Sequence, residues 1–171
     1  MIWLLGFIPV WLLGVVDYQG SRLMVLERLR WPTSAEIVRV METTIQRHGA
    51  PTRLLTDNGS VFKSAAFGRF LESHNVEHTF IRPGRPQTNG RIERLFWTFK
   101  ETVFHWVWVF KSIEQIDRFS ADFVQFYNRD RPHSSWGGRT PDEAYFNRSK
   151  QYGATSRVRY FDGHLCWYKF G

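Results

Sequence analysis

Apolar and polar positions divide this chain into extended and helical stretches that alternate. It opens on sixteen residues without a charge, "MIWLLGFIPVWLLGVV". That run is short for a membrane span, is interrupted by Gly6, Pro9 and Gly14, and lacks the positive flank of a signal peptide. It predicts one or two buried strands, and its abrupt apolar start predicts that sequence upstream is missing. Trp11 to Val16, the turn residues of "DYQGS" and the partly alternating "RLMVLERL" predict a β-hairpin. "PTSAEIVRVMETTIQRHGAP" predicts a helix of about four turns. A capping box from Thr33 to Glu36 opens it, Ile37, Val38, Met41 and Ile45 line it, and Gly49 and Pro51 stop it. "TRLLT" and "VEHTFI" read as short strands around a helix in "SAAFGRFLESHN", with Phe67, Phe70 and Leu71 turned inward.

Beyond residue 90, Ile92, Leu95, Phe96, Phe99 and Val103 form one helical face, which places Glu93, Trp97 and Lys100 at its border. A further helix is predicted from Ile113 to Tyr127, with Ile113, Ile116, Phe119, Phe123 and Phe126 apolar. "NRDRPHSSWGGRTPDEAYF" reads as a loop and then a short capped helix with Pro141 at its first position. The tail "SRVRYFDGHLCWYKF" predicts a hairpin about Asp162 and Gly163. Strands that alternate with helices indicate an α/β sheet, with ligands expected beyond the carboxyl ends of its strands. Asp57 occupies such an end. The organisation expected is one main unit, residues 1–146, followed by a C-terminal β extension, residues 147–171.

Composition changes this picture in two ways. Lys and Arg number 23 against 16 Asp and Glu, a formal charge of +7. Such a balance favours nucleic acid among possible partners without excluding acidic membranes or proteins. The single cysteine, Cys166, forms no internal disulfide and suits a reducing cytoplasm. The histidines, His48, His74, His78, His105, His133 and His164, are scattered without zinc spacing. Most of the eight tryptophans read as core residues rather than base-stacking platforms. Trp106 and Trp108, two apart, fall on different helical faces.

Two acids carry the candidate chemistry. Asp57 lies at a strand end, and Glu93 is the lone carboxylate in the basic stretch "RPGRPQTNGRIERLFWTFK". If they meet in space, their repulsion calls for a raised pKa or a metal. Mg²⁺ suits hard oxygen ligands, and a pair of ions about 3.5–4 Å apart activates an attacking oxygen and stabilises a leaving one at a phosphodiester. The plainer reading of each is local: Asp57 starts a "DNGS" turn, and Glu93 favours a helix N-terminus. Spacing and composition leave both readings open.

In order, these motifs resemble a known family. "LLTDNGSVF" and the glutamate of "PGRPQTNGRIERLFWTFKE" resemble the catalytic core of retroviral integrases and bacterial DDE transposases. "FVQFYNRDRPHSSWGGRTPDEAY" resembles the segment after that core in insertion-sequence transposases, and "VVDYQGSRLMV" resembles the family's second-strand hairpin. The resemblance covers about residues 11 to 146. It implies an α/β, ribonuclease-H-like mixed sheet flanked by helices, two Mg²⁺ or Mn²⁺ ions, and metal-dependent strand cleavage and transfer in DNA integration or transposition. It makes Asp57 the second metal-binding aspartate and Glu93 the third acid, and it places Asn89 where relatives contact the end of the transferred DNA. Arg91, Arg94, Trp97 and Lys100 are candidates for DNA contact, the last three from their place on the helix flank; plain solvated charges are the alternative for Arg94 and Lys100.

The chain departs from the family in one respect. The family's first catalytic aspartate lies on the first strand, whereas no acid precedes Asp17 here, and Asp17 aligns with a hairpin aspartate to which a turn role is assigned. The expectation is therefore a chain truncated at its N-terminus, without the first strand and with impaired catalysis. A non-catalytic, DNA-binding remnant of a transposase is the alternative. The resemblance further implies DNA as partner (element ends and target), a homo-oligomer, no membrane association, and the cytoplasm of a bacterium, at the nucleoid.

Overall fold

The structure is a computed structural model that describes residues 2–4, 8–82, 90–104, 110–149, 155–163 and 165–170. Asn89, His105, Trp106, Trp108 and His164 lie outside the described residues. Three ladders form. Strand β1 (Ile2–Leu4) pairs antiparallel with β2 (Ile8–Val16), and β2 pairs antiparallel with β3 (Leu23–Leu29), from Trp11 opposite Leu29 to Val16 opposite Leu23. The β2–β3 hairpin is the one the sequence predicts. Its turn is closed by the Asp17 amide donating to the Arg22 carbonyl at 2.8 Å and by the Asp17 carboxylate accepting the Gly20 N–H, which is the turn role expected of Asp17.

Helix α1 (Ser34–His48) follows. Thr33 caps it, Oγ1 accepting the Glu36 N–H at 3.3 Å, but only half of the predicted capping box forms. The Thr33 N–H donates instead to the Trp31 carbonyl at 2.8 Å. The Glu36 carboxylate accepts from the Arg30 amide at 3.4 Å and the Arg39 guanidinium at 3.3 Å. Ile37 and Met41 are buried as expected; Val40 and Thr44 complete the inner face, and Val38 and Ile45 sit at its edges.

Strands β4 (Arg53–Thr56) and β5 (Glu77–Phe80) are parallel, Arg53 opposite Glu77, and α2 (Ala65–Ser73) connects them. This ladder is not hydrogen-bonded to β1–β3 among the described residues. A shared core joins the two: Leu29, Ile37, Val40 and Met41 pack with Phe67, Phe70, Leu71 and Val76, and Val15 and Leu54 flank them.

A second core lies beneath α3 (Gly90–Phe104) and α4 (Ile113–Gln125). Leu95, Phe99 and Val103 of the predicted stripe are fully buried, as are Ile116, Phe119 and Phe123. Ile113 is exposed instead, because it stands at the first position of α4, just after the Ser112 cap. Where the sequence predicts one helix to Tyr127, α4 ends at Gln125 and a π-helical turn, Phe126–Asp130, takes over. This wider turn aims Asn128 at β3: its side-chain amide accepts the Leu23 N–H and donates to the Leu23 carbonyl, both at 2.8 Å. Helix α5 (Pro141–Tyr145) carries a complete capping box between Thr140 and Glu143.

The C-terminal hairpin forms as predicted, β6 (Thr155–Tyr160) against β7 (Leu165–Phe170). Its register pairs Tyr160 with Leu165, and the left-handed residues are Phe161 and Asp162 (φ 55° each), so the loop is longer than a two-residue Asp-Gly turn. Tyr160 and Phe161 are buried in the core of α3 and α4.

Candidate active site and nucleic-acid face

Asp57 leaves the C-terminal end of β4 in a turn that its own side chain builds. Oδ1 accepts the Gly59 N–H at 2.8 Å, an Asx turn. A Cβ at residue 59 would stand 2.9 Å from that oxygen, so a side chain there would push the carboxylate out of this position. The Asn58 amide donates to the Ile81 carbonyl and the Ile81 N–H to the Thr56 carbonyl, each at 2.8 Å. These bonds tie the "DNGS" loop to the end of β5 and leave Asp57 exposed at the strand ends.

Behind Asp57 the support is an aromatic pocket. His78 on β5 lies 4.3 Å from the Phe80 ring and 5.5 Å from Phe67, centroid to centroid, and burial lowers its pKa below the usual imidazole value. The Thr56 hydroxyl lies 3.0 Å from the Asp57 carbonyl and is hydrogen-bonded with His78 Nε2 at 2.9 Å. His78 thus has a structural place on β5, opposite Leu54 in the parallel register.

Glu93 comes from a different part of the fold, the first turn of α3, and is also exposed. The helix is seated on β2 through Gly14, where a Cβ would meet Phe96 Cζ at 3.2 Å, Leu95 Cδ2 at 3.4 Å and Ile92 Cδ1 at 3.6 Å. Its N-terminus is pinned by Arg91, whose Nη1 donates to the Tyr18 carbonyl and, at 3.1 Å, to Ser21 Oγ. The Arg91 guanidinium also lies 4.4 Å from the Tyr18 ring centroid. Arg91 is therefore engaged with the hairpin turn. Arg94, Trp97 and Lys100 all face solvent, and Trp97 is 56% exposed. For an indole on an amphipathic helix that exposure is high, and it lies between two cations.

Asp57 and Glu93 are solvent-accessible hard oxygen donors, a set that fits Mg²⁺ completed by waters and substrate phosphates. Among the described residues, no group of three His, Cys, Asp or Glu side chains assembles to hold a metal ion. No helix among the described residues is long and apolar enough to cross a membrane.

Comparison with known proteins gives a consistent result. Two family models, both described as Integrase core domain, match residues 3–86 and 74–141. An uncharacterized 39.2 kDa protein of insertion element IS476 from Xanthomonas euvesicatoria is 34% identical over 119 residues, covering 70% of this chain and 34% of that protein. The chain thus spans about a third of the length of this curated relative. Among solved structures, the catalytic core domain of BIV integrase aligns with a TM-score of 0.67 at 19% identity, over 81% of this chain and 86% of that one. The HTLV-2 integrase catalytic core domain in complex with magnesium, in a trimeric form, aligns at 0.61 and 17% identity, over 79% and 92%. The fold is therefore the α/β, ribonuclease-H-like fold of integrase catalytic cores, as the sequence predicts.

Proposed function

We propose, from the premise that this chain belongs to the integrase core domain family, that it serves DNA integration or transposition by a mobile element. The observation that carries this reading is an exposed carboxylate at the end of β4 and a second in the first turn of α3, the latter on the helix that also presents exposed Arg94, Trp97 and Lys100. Asp57 and Glu93 would hold Mg²⁺ or Mn²⁺, which supplies Lewis-acid stabilisation of charge on a phosphodiester and activation of the attacking oxygen. Arg94 and Lys100 bind phosphate and set the strand's register without reading its sequence. Asn89 is assigned to the DNA end, and the working form is a homo-oligomer on DNA in the bacterial cytoplasm, at the nucleoid. The unit doing this work is residues 1–146, with residues 147–171 as its C-terminal extension.

Catalysis by the chain alone is proposed to be impaired, since no acid precedes Asp17 and the first of the family's three metal ligands has no counterpart. That observation favours a second reading, a DNA-binding remnant without turnover. Both are tested by incubating the protein with labelled duplex and Mg²⁺ or Mn²⁺ beside Asp57→Ala, Glu93→Ala and an Arg94→Ala/Lys100→Ala double variant. The expected result is salt-dependent DNA binding, weakened about tenfold or more at low salt in the double variant, with little or no cleavage. Cleavage that both acid substitutions abolish would sink the remnant reading. Absence of DNA binding at low salt would sink both.

A further inference from the structure

We propose that the groove between the β2–β3 turn and α5 is a stacking platform for unpaired bases of single-stranded DNA, contiguous with the α3 face. The proposal rests on the reading that the chain handles DNA, and it adds a strand type and a place.

The groove has a volume of about 500 Å³, with Asp17, Gln19 and Gly20 on one wall and Trp136, Ala144 and Tyr145 on the other. Around it, guanidinium groups lie against aromatic rings that remain partly open to solvent. Arg22 sits 5.3 Å from the Tyr145 centroid and 5.4 Å from Phe146, Arg148 sits 4.9 Å from Phe146, and Arg91 sits 4.4 Å from Tyr18. Tyr18 is 63% exposed, Tyr145 41% and Phe146 47%. Exposed rings interleaved with cations suit a single strand, whose phosphates meet the guanidiniums while its bases stack. A duplex keeps its base faces covered, and an acidic peptide offers charge without π-faces.

Charge points the same way. Arg22 and Arg129 share one carboxylate, Asp142, at 2.7 and 3.9 Å. Among the described residues neither Arg91 nor Arg148 enters an ion pair, against the one carboxylate in the groove lining, Asp17, which accepts the Gly20 N–H. The walls are preorganised. Tyr145 is held by the capping box of α5 and by the Arg22–Asp142 bridge, and it lies so close to Gly20 that a Cβ there would stand 3.2 Å from the tyrosine Cβ. A rigid platform loses less entropy when a base stacks on it. Arg91, which bonds the hairpin turn, links this groove to the first turn of α3.

The test is fluorescence anisotropy with three DNAs: a blunt duplex, the same duplex with a short oligo-dT tail, and that duplex with an abasic tail of equal length. The abasic tail keeps the phosphates and removes the bases. The dT tail is expected to bind about tenfold more tightly than the abasic one. Tyr145→Leu with Phe146→Leu should bring that ratio close to one while leaving blunt-duplex affinity and the melting curve intact. Arg148→Gln, at an exposed position, should weaken both tailed DNAs alike. Equal binding of dT and abasic tails by the unaltered protein overturns the proposal, as does a ratio that survives in a folded double variant. Blunt-duplex binding without tail preference ends this inference alone, whereas failure to bind any DNA ends the DNA reading of the chain and this inference with it.

Discussion

Asn128 shows at the scale of one residue how a distant segment fixes the hairpin. Its amide replaces a strand partner for Leu23, satisfying one donor and one acceptor at 2.8 Å each, and it is only 4% exposed. Asn128→Ala leaves two backbone groups buried without those bonds, which is expected to cost about 2–4 kcal/mol. Asn128→Asp should cost more, because a carboxylate oxygen would then face the Leu23 carbonyl. Urea denaturation checks both as a lowered midpoint at unchanged slope. The turn at Asp57 was legible in the sequence because every atom of an Asx turn lies within a few residues. The role of Asn128 was not, since its partner is 105 positions away and the π-helical turn that aims it has no signature in the apolar pattern.

At the scale of elements, the apolar stripes predicted which helices and strands form and which faces they bury, since Leu95, Phe99, Val103, Phe119 and Phe123 all lie inside. Where the reading failed, local competition decided. Glu36 found Arg30 and Arg39 instead of the Thr33 amide, and Ile113 fell on the exposed end of its helix. The seat of α3 was equally hidden: nothing in "LLGVV" marks Gly14 as the place where the helix carrying Glu93 touches β2. Gly14→Val should overpack that contact, since the Cβ alone would meet Phe96 and Leu95 at 3.2 and 3.4 Å and valine adds two methyls to it. The expected loss is about 1–3 kcal/mol, with DNA affinity falling as the first turns of α3 shift. Gly68→Ala is the contrast. Within α2, nothing lies within 4 Å of its Cβ position, so this change should stabilise the fold by roughly 0.5–1 kcal/mol. Thermal melts of the two variants should move in opposite directions.

For the whole molecule, the question is how far the C-terminal hairpin belongs to the same folding unit as the helices before it. Its end is tied in by four kinds of contact. Phe161 is fully buried and 5.2 Å from Phe119 between centroids, and its N–H donates to Asp122 at 2.7 Å. Arg118 reaches Asp162 at 3.2 Å, and the Tyr160 hydroxyl donates to Asp130. Burial, reinforced by the Asp130 carboxylate, raises the Tyr160 pKa above its ordinary value, so this bond keeps its proton throughout the neutral range. The sequence revealed the hairpin but not this attachment, because aromatic residues in a tail look alike whether they pack on their own sheet or on a helix elsewhere. Phe161→Ala is expected to remove about 3–5 kcal/mol, the usual cost of an emptied aromatic site in a packed core. Since Phe161 and Phe119 share one core, hydrogen exchange should show the amides of β6 and α4 opening with the same free energy and losing protection together in the variant. A hairpin that opens at lower denaturant while α4 stays protected would show that it folds as a separate appendage.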